Sequence, residues 1–196
     1  MTAERLGTEE GETVVLAIGA HPYPLDCTGP SQGPAVVGWT AYLAGQVTLG
    51  ERVGVVSRGE GAEFALSLAR TGHGVWLLEQ GVAPRPAAYD YAGRRLQALT
   101  DALAEAGVRL VGLVDAVQPT AGGVMLRYRN GHRERFPIDT VLIAGRQASD
   151  VPVQDLVPPG WDVYQAGDCV APLEIAEALQ AARLIVTQLS QKPWPS

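Results

Sequence analysis

The sequence predicts an α/β protein built on a parallel sheet, and three observations carry this prediction. Apolar runs of strand length at 13–20 and 140–144 are continuous rather than alternating, which is typical of strands covered on both faces. Segments 92–106 and 172–189 carry apolar residues at helical spacing. An Asn-Gly pair at 130–131, between the segments 123–128 and 132–136, indicates a hairpin and hence a small antiparallel layer.

The first part of the chain predicts a strand and a short helix ahead of a βαβ unit. Residues 13–20 form the strand, and the prolines and glycines of 21–34 predict a loop. Residues 39–44 predict the short helix, in which Trp39 and Tyr42 are expected to pack beneath the unit that follows. Apolar residues then predict a strand, a helix and a strand, at 52–56, 63–70 and 75–78.

The second part predicts a helix, a strand, the hairpin and a return to the sheet. Gly107 ends the helix 92–106, and a strand follows at 108–114. The strand at 140–146 repeats the pattern of 13–19, and a last short strand at 163–168 precedes the helix 172–189. The apolar residues expected to share one face of this last helix are Ile175, Leu179, Ala182, Ile185 and Leu189.

Composition places the chain among ordinary globular proteins. Hydrophobic residues make up 46% of the 196 positions and charged residues 18%, with a net charge of −6, which disfavours nucleic acid and anionic membranes as partners. No apolar run approaches the ~20 residues of a membrane span. The start of the chain lacks signal-peptide features, and Cys27 and Cys169 form no C-x-x-C pair, so we expect a cytoplasmic protein with reduced thiols. The three histidines stand apart and predict no metal site.

The turn inside the βαβ unit carries a dinucleotide-binding signature. The small positions of G-x-G-x-x-G/A fall on Ser57, Gly59 and Ala62, and Glu79 follows Ser57 by 22 positions, close to the roughly 20 expected of a ribose-binding acid. In such a Rossmann-like unit the turn brings a pyrophosphate to the N–H groups of a helix N-terminus. The candidate cofactor-binding residues here are Ser57, Arg58, Gly59, Glu60, Gly61, Ala62 and Glu79.

Ser57 and Glu79 each leave two interpretations open. Serine departs from the signature, because the tight turn at its first position favours glycine; Gly61 offers a shifted turn instead, and a unit that folds this way and binds nothing is the alternative. Glu79 either accepts ribose hydroxyls or is a solvated acid at a strand end. In the first case its charge repels the 2′-phosphate of NADP, so NAD(H) or ADP is preferred.

The motifs together resemble a known family over roughly residues 12–191. The nucleotide unit, the strand V-L-I-A-G-R and the run A-G-D-C-V-A-P at 166–172 look like the C-terminal half of multidomain NADH:flavin oxidoreductases. These are the relatives of 2,4-dienoyl-CoA reductase and trimethylamine dehydrogenase, within the glutathione reductase type of flavoproteins with two dinucleotide-binding domains.

The resemblance implies a domain division and a flavin site. Residues 44–138 would be an inserted NAD/ADP-binding Rossmann domain, and 1–43 with 139–196 would be pieces of a second, incomplete FAD-type domain. Asp168 would hydrogen-bond the ribityl chain of a flavin, and Gly145 and Gly167 would lie in a cofactor site. Asp168 can also cap the helix that follows it, and Cys169 is expected to be a small buried apolar residue.

Two departures from the family affect the functional prediction. In the family, the first FAD-binding βαβ unit would precede the position of Thr13. We expect neither that unit nor the flavin barrel of the family in this sequence. Either a second oxidoreductase subunit supplies these parts, with FAD at the interface, or the chain is a non-catalytic nucleotide-binding module that stabilises a partner. A self-sufficient reductase with an unusual flavin site is a further alternative. The sequence predicts no catalytic side chain, as expected where cofactors carry the chemistry.

Overall fold

A computed structural model describes residues 13–22, 33–57, 61–80, 93–149, 151–172 and 175–191. The chain divides into two compact units, a larger one of Pro22–Gly145 and a smaller one of Met1–His21 with Arg146–Ser196. The helices and strands in chain order are β1 (Thr13–Leu16), β2 (Ala20–Pro22), β3 (Ala35–Gly38), α1 (Trp39–Leu43), β4 (Arg52–Ser57), α2 (Gly61–Arg70), β5 (Gly74–Gln80), α3 (Gly93–Glu105), β6 (Arg109–Thr120), β7 (Gly123–Tyr128), β8 (Arg133–Phe136), β9 (Thr140–Ala144), β10 (Arg146–Ala148), β11 (Asp162–Gln165) and α4 (Ile175–Ser190).

The larger unit is organised around a seven-stranded sheet in the order β3-β9-β4-β5-β6-β7-β8. The strands from β3 to β6 pair in parallel, whereas β6, β7 and β8 form an antiparallel meander. The predicted α/β class, the parallel sheet and the hairpin are therefore confirmed. The predicted division at 44–138 stays a prediction, and the compact unit is wider because β3 and β9 belong to the same sheet as β4.

Two apolar clusters cover the two faces of this sheet. On one face Val55 of β4 and Leu77 of β5 pack with residues of α2 and α3, among them Leu68 and Leu103, which are almost fully buried. Trp39 and Tyr42 pack against this cluster, as expected. On the other face Val56, Trp76, Leu78 and Val141 pack against the meander. Continuous apolar strands are thus explained, because both faces of β4 and β5 are covered.

The smaller unit has little regular structure by comparison. β1 pairs in parallel with β11, and β2 pairs with β10, each as a separate two-stranded sheet. α4 follows a short 3-10 turn at Gly167–Cys169. Cys169 is buried as expected, and its thiol donates hydrogen bonds to the carbonyl oxygens of Leu16, at 3.3 Å, and Ala166, at 3.1 Å. This residue therefore ties the turn to the end of β1.

The apolar face predicted for α4 is buried only in part. The helix lies close to where it was expected, and Ile185 is buried. Ile175 and Leu179, which were predicted to share that face, are 80% and 66% exposed. Helical spacing shows which residues share an apolar face, but it does not show whether another element covers that face. In the described part of the chain, no neighbouring element covers Ile175 and Leu179. Across the described ranges, no helix has the length and apolar character needed to cross a membrane.

Candidate functional site

Three parallel strands end side by side at the carboxyl edge of the large sheet. Ser57, the last residue of β4, pairs with Glu79 of β5 on one side and with Ala144 of β9 on the other. Gly145, which follows Ala144, is buried at the same edge. Ligands of open α/β sheets bind outside the carboxyl ends of the strands, so Ser57, Glu79 and Gly145 converge where a nucleotide is expected.

Ser57 is joined directly to the first residue of α2. The backbone N–H of Gly61 donates a hydrogen bond to the Ser57 Oγ over 2.8 Å, and the Ser57 residue is 1% exposed. A Cβ on Gly61 would lie 2.6 Å from the Cβ of Ser57. Only glycine therefore lets the start of α2 approach the end of β4 this closely.

The signature assigned close packing of helix and strand to Ala62, and the structure shares that role between two residues. Ala62 is fully buried in the cluster under α2, while Gly61 makes the closest approach to β4. The sequence indicated Gly61 only as a residue that shifts the turn. Its contact with Ser57 depends on the distance between a strand and a helix, which no local sequence pattern reports.

The electrostatic character of the α2 N-terminus is mixed. A helix N-terminus attracts anions because its first N–H groups have no partner inside the helix and its dipole is positive there. Ser57 accepts the N–H of Gly61. Glu63 places an acidic side chain in the first turn of α2, which stabilises the helix but opposes a second negative charge nearby. Both features lower the affinity that we expect this helix N-terminus to have for a phosphate.

Glu79 is a buried acid, with 0% of its surface exposed. Along β5, Leu77 packs in the cluster on the α2 side of the sheet and Leu78 in the cluster on the other side. Because strand side chains alternate, Glu79 lies on the α2 side, beside Ser57. The alternative of a solvated acid is therefore wrong. Burial of a carboxylate costs free energy unless polar contacts compensate for it. A buried acid beside the start of α2 therefore distinguishes this edge of the sheet from an ordinary strand end.

A β-bulge in β6 flanks Glu79. Leu78 pairs with Val111 and Gln80 with Val114, so Glu79 stands opposite two residues, Gly112 and Leu113. Leu113 has a φ of 59°, a left-handed conformation that is uncommon for a bulky residue. Bulges and strained residues are found next to functional sites more often than elsewhere. The sequence carried no signal for this bulge, since it follows from the register between β5 and β6.

Gly167 and Asp168 belong to the smaller unit. Gly167 has a φ of 72° and opens the 3-10 turn at the end of β11, and Asp168 is half-buried within that turn. Pro172 lies between this turn and the described part of α4 and is not helical, so Asp168 does not occupy the cap position that the alternative interpretation required.

The remaining predicted residues are distributed as follows. Ser57, Gly61, Ala62, Glu79 and Gly145 meet at one edge of the larger unit. Arg58, Gly59 and Glu60 lie outside the described residues. Within the described part of the chain, no group of three or more His, Cys, Asp or Glu side chains could hold a metal ion.

By sequence the chain matches no protein-family model and no curated protein. By structure it is similar to histamine dehydrogenase from Rhizobium sp. 4-9, with a TM-score of 0.75 and 21% identity over 94% of this chain and 32% of that one. It is also similar to the HOCl-induced flavoprotein disulfide reductase RclA from Escherichia coli, with a TM-score of 0.61 and 19% identity over 94% of this chain and 46% of that one.

A third similar structure is an engineered water-forming NADPH oxidase bound to NADPH, with a TM-score of 0.61 and 18% identity over 94% of this chain and 47% of that one. The chain therefore has the fold of FAD/NAD(P)-binding oxidoreductases, as the resemblance predicted. It spans about a third of the length of the histamine dehydrogenase.

Proposed function

We propose that the chain is a subunit of a flavin-dependent oxidoreductase and that its larger unit binds an adenine dinucleotide. The observation that supports this best is the pairing of Ser57 with Glu79 where β4 and β5 end beside the start of α2. This places an acid and a helix N-terminus together, as recognition of a ribose and a pyrophosphate requires. The similarity in fold to a flavoprotein and to an NADPH-bound oxidase supports the class.

The residues at the carboxyl edge of the large sheet fit an ADP moiety, provided that the ribose can reach Glu79. The pyrophosphate would lie against the start of α2, and the Glu79 carboxylate would accept hydrogen bonds from ribose hydroxyls. Because Glu79 is fully buried, a ribose must replace groups that now cover it. The charge of Glu79 opposes a 2′-phosphate, so NAD(H) or ADP is the expected ligand and NADP(H) is disfavoured.

Flavin chemistry would belong to an assembly with a second chain. Gly167 and Asp168 are the residues of this chain proposed to contact FAD, with a partner oxidoreductase subunit supplying the rest of the flavin site. A bound flavin supplies hydride or electron transfer, while the protein positions it. In this proposal 44–138 is the NAD/ADP-binding part and the outer pieces form part of the FAD-type domain. No catalytic side chain is assigned.

Titration calorimetry of the purified chain with ADP, NADH and NADPH tests the nucleotide proposal. We expect ADP and NADH to bind with similar affinity, because they share the ADP moiety, and NADPH to bind more weakly. In Glu79→Gln, which keeps the shape and removes the charge, the preference against NADPH should shrink. Equal affinity of the wild-type chain for NADH and NADPH would contradict the role of Glu79.

A second candidate function is a non-catalytic module that stabilises a partner. The observation in its favour is the hydrogen bond from the Gly61 N–H to Ser57, which satisfies a donor that the glycine signature would leave for a phosphate. Ser57→Gly distinguishes the two candidates. No binding by wild type together with ADP binding by Ser57→Gly would favour a module that has lost its nucleotide site, whereas ADP binding by wild type would contradict that loss.

A further inference from the structure

The smaller unit leaves an unusual amount of apolar surface uncovered. Among the described residues, few of the buried apolar side chains belong to it, namely Leu16, Val157, Ala166, Cys169 and Ile185. By contrast it holds seven of the ten large apolar residues that are exposed, namely Val15, Ile18, Val170, Ile175, Leu179, Leu184 and Val186. The larger unit shows the opposite distribution, so the excess is not a general property of the chain.

Much of this surface forms one stripe on α4. Ile175, Leu179, Ala182 and Val186 follow one another at intervals of four, three and four residues, which places them within roughly 60° of one another at about 100° per residue. All four are exposed. The stripe adjoins the side of the helix on which Ile185 is 7% exposed. The apolar arc of α4 is therefore wider than the part that the smaller unit covers.

The strand β1 of the same unit is partly exposed. It pairs only with β11 among the described strands, in parallel, and Val15 at its centre is 46% exposed. Parallel sheets occur almost only where both faces are covered, and two strands alone are marginally stable. A strand edge of this kind accepts a further strand through its backbone hydrogen-bonding groups.

We propose that the α4 stripe and the β1 edge are the docking surface for a second polypeptide, which adds a parallel strand to β1 and packs an apolar surface on Leu179. This rests on the proposed function, because the occupant is the subunit that supplies the flavin-binding parts. The histamine dehydrogenase chain is about three times longer than the portion that this chain matches, so the same fold is embedded there in a larger chain.

Two other occupants fit the surface less well. A symmetric second copy would bring β1 against itself in antiparallel orientation, which does not extend a parallel sheet. A membrane surface favours a helix rich in Lys and Arg on its polar face. Among the described side chains of α4, only Arg183 is basic, and Glu177 is acidic.

A pair of substitutions on one helix tests the proposal. Leu179→Glu places a charge in the stripe, and Leu184→Glu places the same charge on the opposite side of α4; the two leucines are 66% and 59% exposed. The wild type and each variant are produced with an affinity tag in the natural source and purified. Native mass spectrometry then identifies the chains that are bound to them. Circular dichroism should show equal folding, since neither side chain is buried.

We expect the wild type to hold one further chain that carries flavin and a G-x-G-x-x-G motif in its sequence. The amount of this chain bound to Leu179→Glu should be lower by about tenfold or more, which corresponds to a loss of about 1.4 kcal/mol in binding free energy. Leu184→Glu should bind as much of it as the wild type does. Retention by Leu179→Glu would overturn the proposal. A wild-type protein that is recovered as a lone chain or as copies of itself would also overturn it. Binding of the wild type to phosphatidylserine vesicles that is lost in Leu179→Glu would overturn it as well.

Calorimetry with ADP on the same three proteins separates this inference from the proposed function. ADP binding without the further chain would overturn the docking surface and leave the nucleotide site standing. The further chain without ADP binding would overturn the nucleotide site and leave the docking surface standing.

Discussion

Gly61 should not tolerate even one added methyl group, because α2 begins in contact with the end of β4. An added Cβ would lie 2.6 Å from the Cβ of Ser57, 2.9 Å from its Oγ and 3.1 Å from the Cγ1 of Val55. The first distance joins two atoms attached to the backbone, so the strand end or the helix start must move. Overpacking of this kind costs about 1–3 kcal/mol, and we expect Gly61→Ala to lower the free energy of unfolding by about 2 kcal/mol.

A double-mutant cycle tests whether Ser57 is the cause. Ser57→Gly removes the Cβ and the Oγ, and leaves only the Val55 methyl, which can rotate. Ser57→Ala keeps the Cβ at 2.6 Å. Gly61→Ala should therefore cost less than about 1 kcal/mol in the Ser57→Gly background and about 2 kcal/mol in the Ser57→Ala background.

Each double mutant must be compared with its own single mutant. Both Ser57 substitutions lose the hydrogen bond from the Gly61 N–H, which typically contributes about 0.5–1.5 kcal/mol. Equilibrium urea unfolding followed by tryptophan fluorescence gives the free energies, since Trp76 is buried in the larger unit. Equal losses in the two backgrounds, or no loss in the wild-type background, would refute the packing geometry on which the site is built.

Three further predictions concern other parts of the larger unit. Glu79→Gln should raise the affinity for NADPH relative to NADH by about tenfold, equivalent to about 1.4 kcal/mol, and calorimetry that finds the ratio unchanged would contradict a ribose-binding role. Leu113→Gly should stabilise the protein by up to about 1 kcal/mol, because the left-handed conformation costs a non-glycine residue about 1–2 kcal/mol and glycine loses about 0.5–1 kcal/mol in chain entropy. Leu113→Ala keeps the Cβ and should show no gain in urea unfolding. Burial, and then the hydrogen bond that its hydroxyl donates to Glu134, raise the pKa of Tyr128 from 10.0 to about 12. Its contribution to stability is therefore present below pH ~10 and is lost as the pH rises towards ~12. Glu134→Ala should bring the ultraviolet titration of the phenolate back towards its ordinary range, and an unchanged midpoint would argue against the contact.

The sequence predicted the sheet and hairpin because these depend on local patterns. Continuous apolar runs predicted strands covered on both faces at 13–20 and 140–144. This is confirmed for β9, whose Val141 and Leu142 lie in different clusters, and is wrong for 13–20, where β1 ends at Leu16 and Val15 is 46% exposed. The Asn-Gly pair identified the turn between β7 and β8. Gly107, which was predicted to end α3, has a φ of 74°. In each case the chain's own neighbours in sequence decide the structure.

The details of the site depend on residues that are distant in sequence, and the sequence did not predict them. The bulge beside Glu79 follows from the register between β5 and β6. The burial of Glu79 depends on what packs above the end of β5, and a carboxylate at a strand end gives no indication of it. The exposure of Ile175 is the converse case, since a pattern predicts an apolar face but not whether anything covers it.

Ser57 is the residue on which the two candidate functions differ most. Its Oγ accepts the Gly61 N–H at 2.8 Å, so a phosphate gains that donor only by displacing a hydrogen bond that is already made. A charge-assisted hydrogen bond is roughly twice as strong as a neutral one, which favours the exchange. Ser57 is 1% exposed, however, and lies against Gly61, so its hydroxyl has little room to move away. We therefore expect serine at this position to lower the affinity of the helix N-terminus for a pyrophosphate without removing its other donors, and the proposed binding to depend on how much the ribose contributes through Glu79.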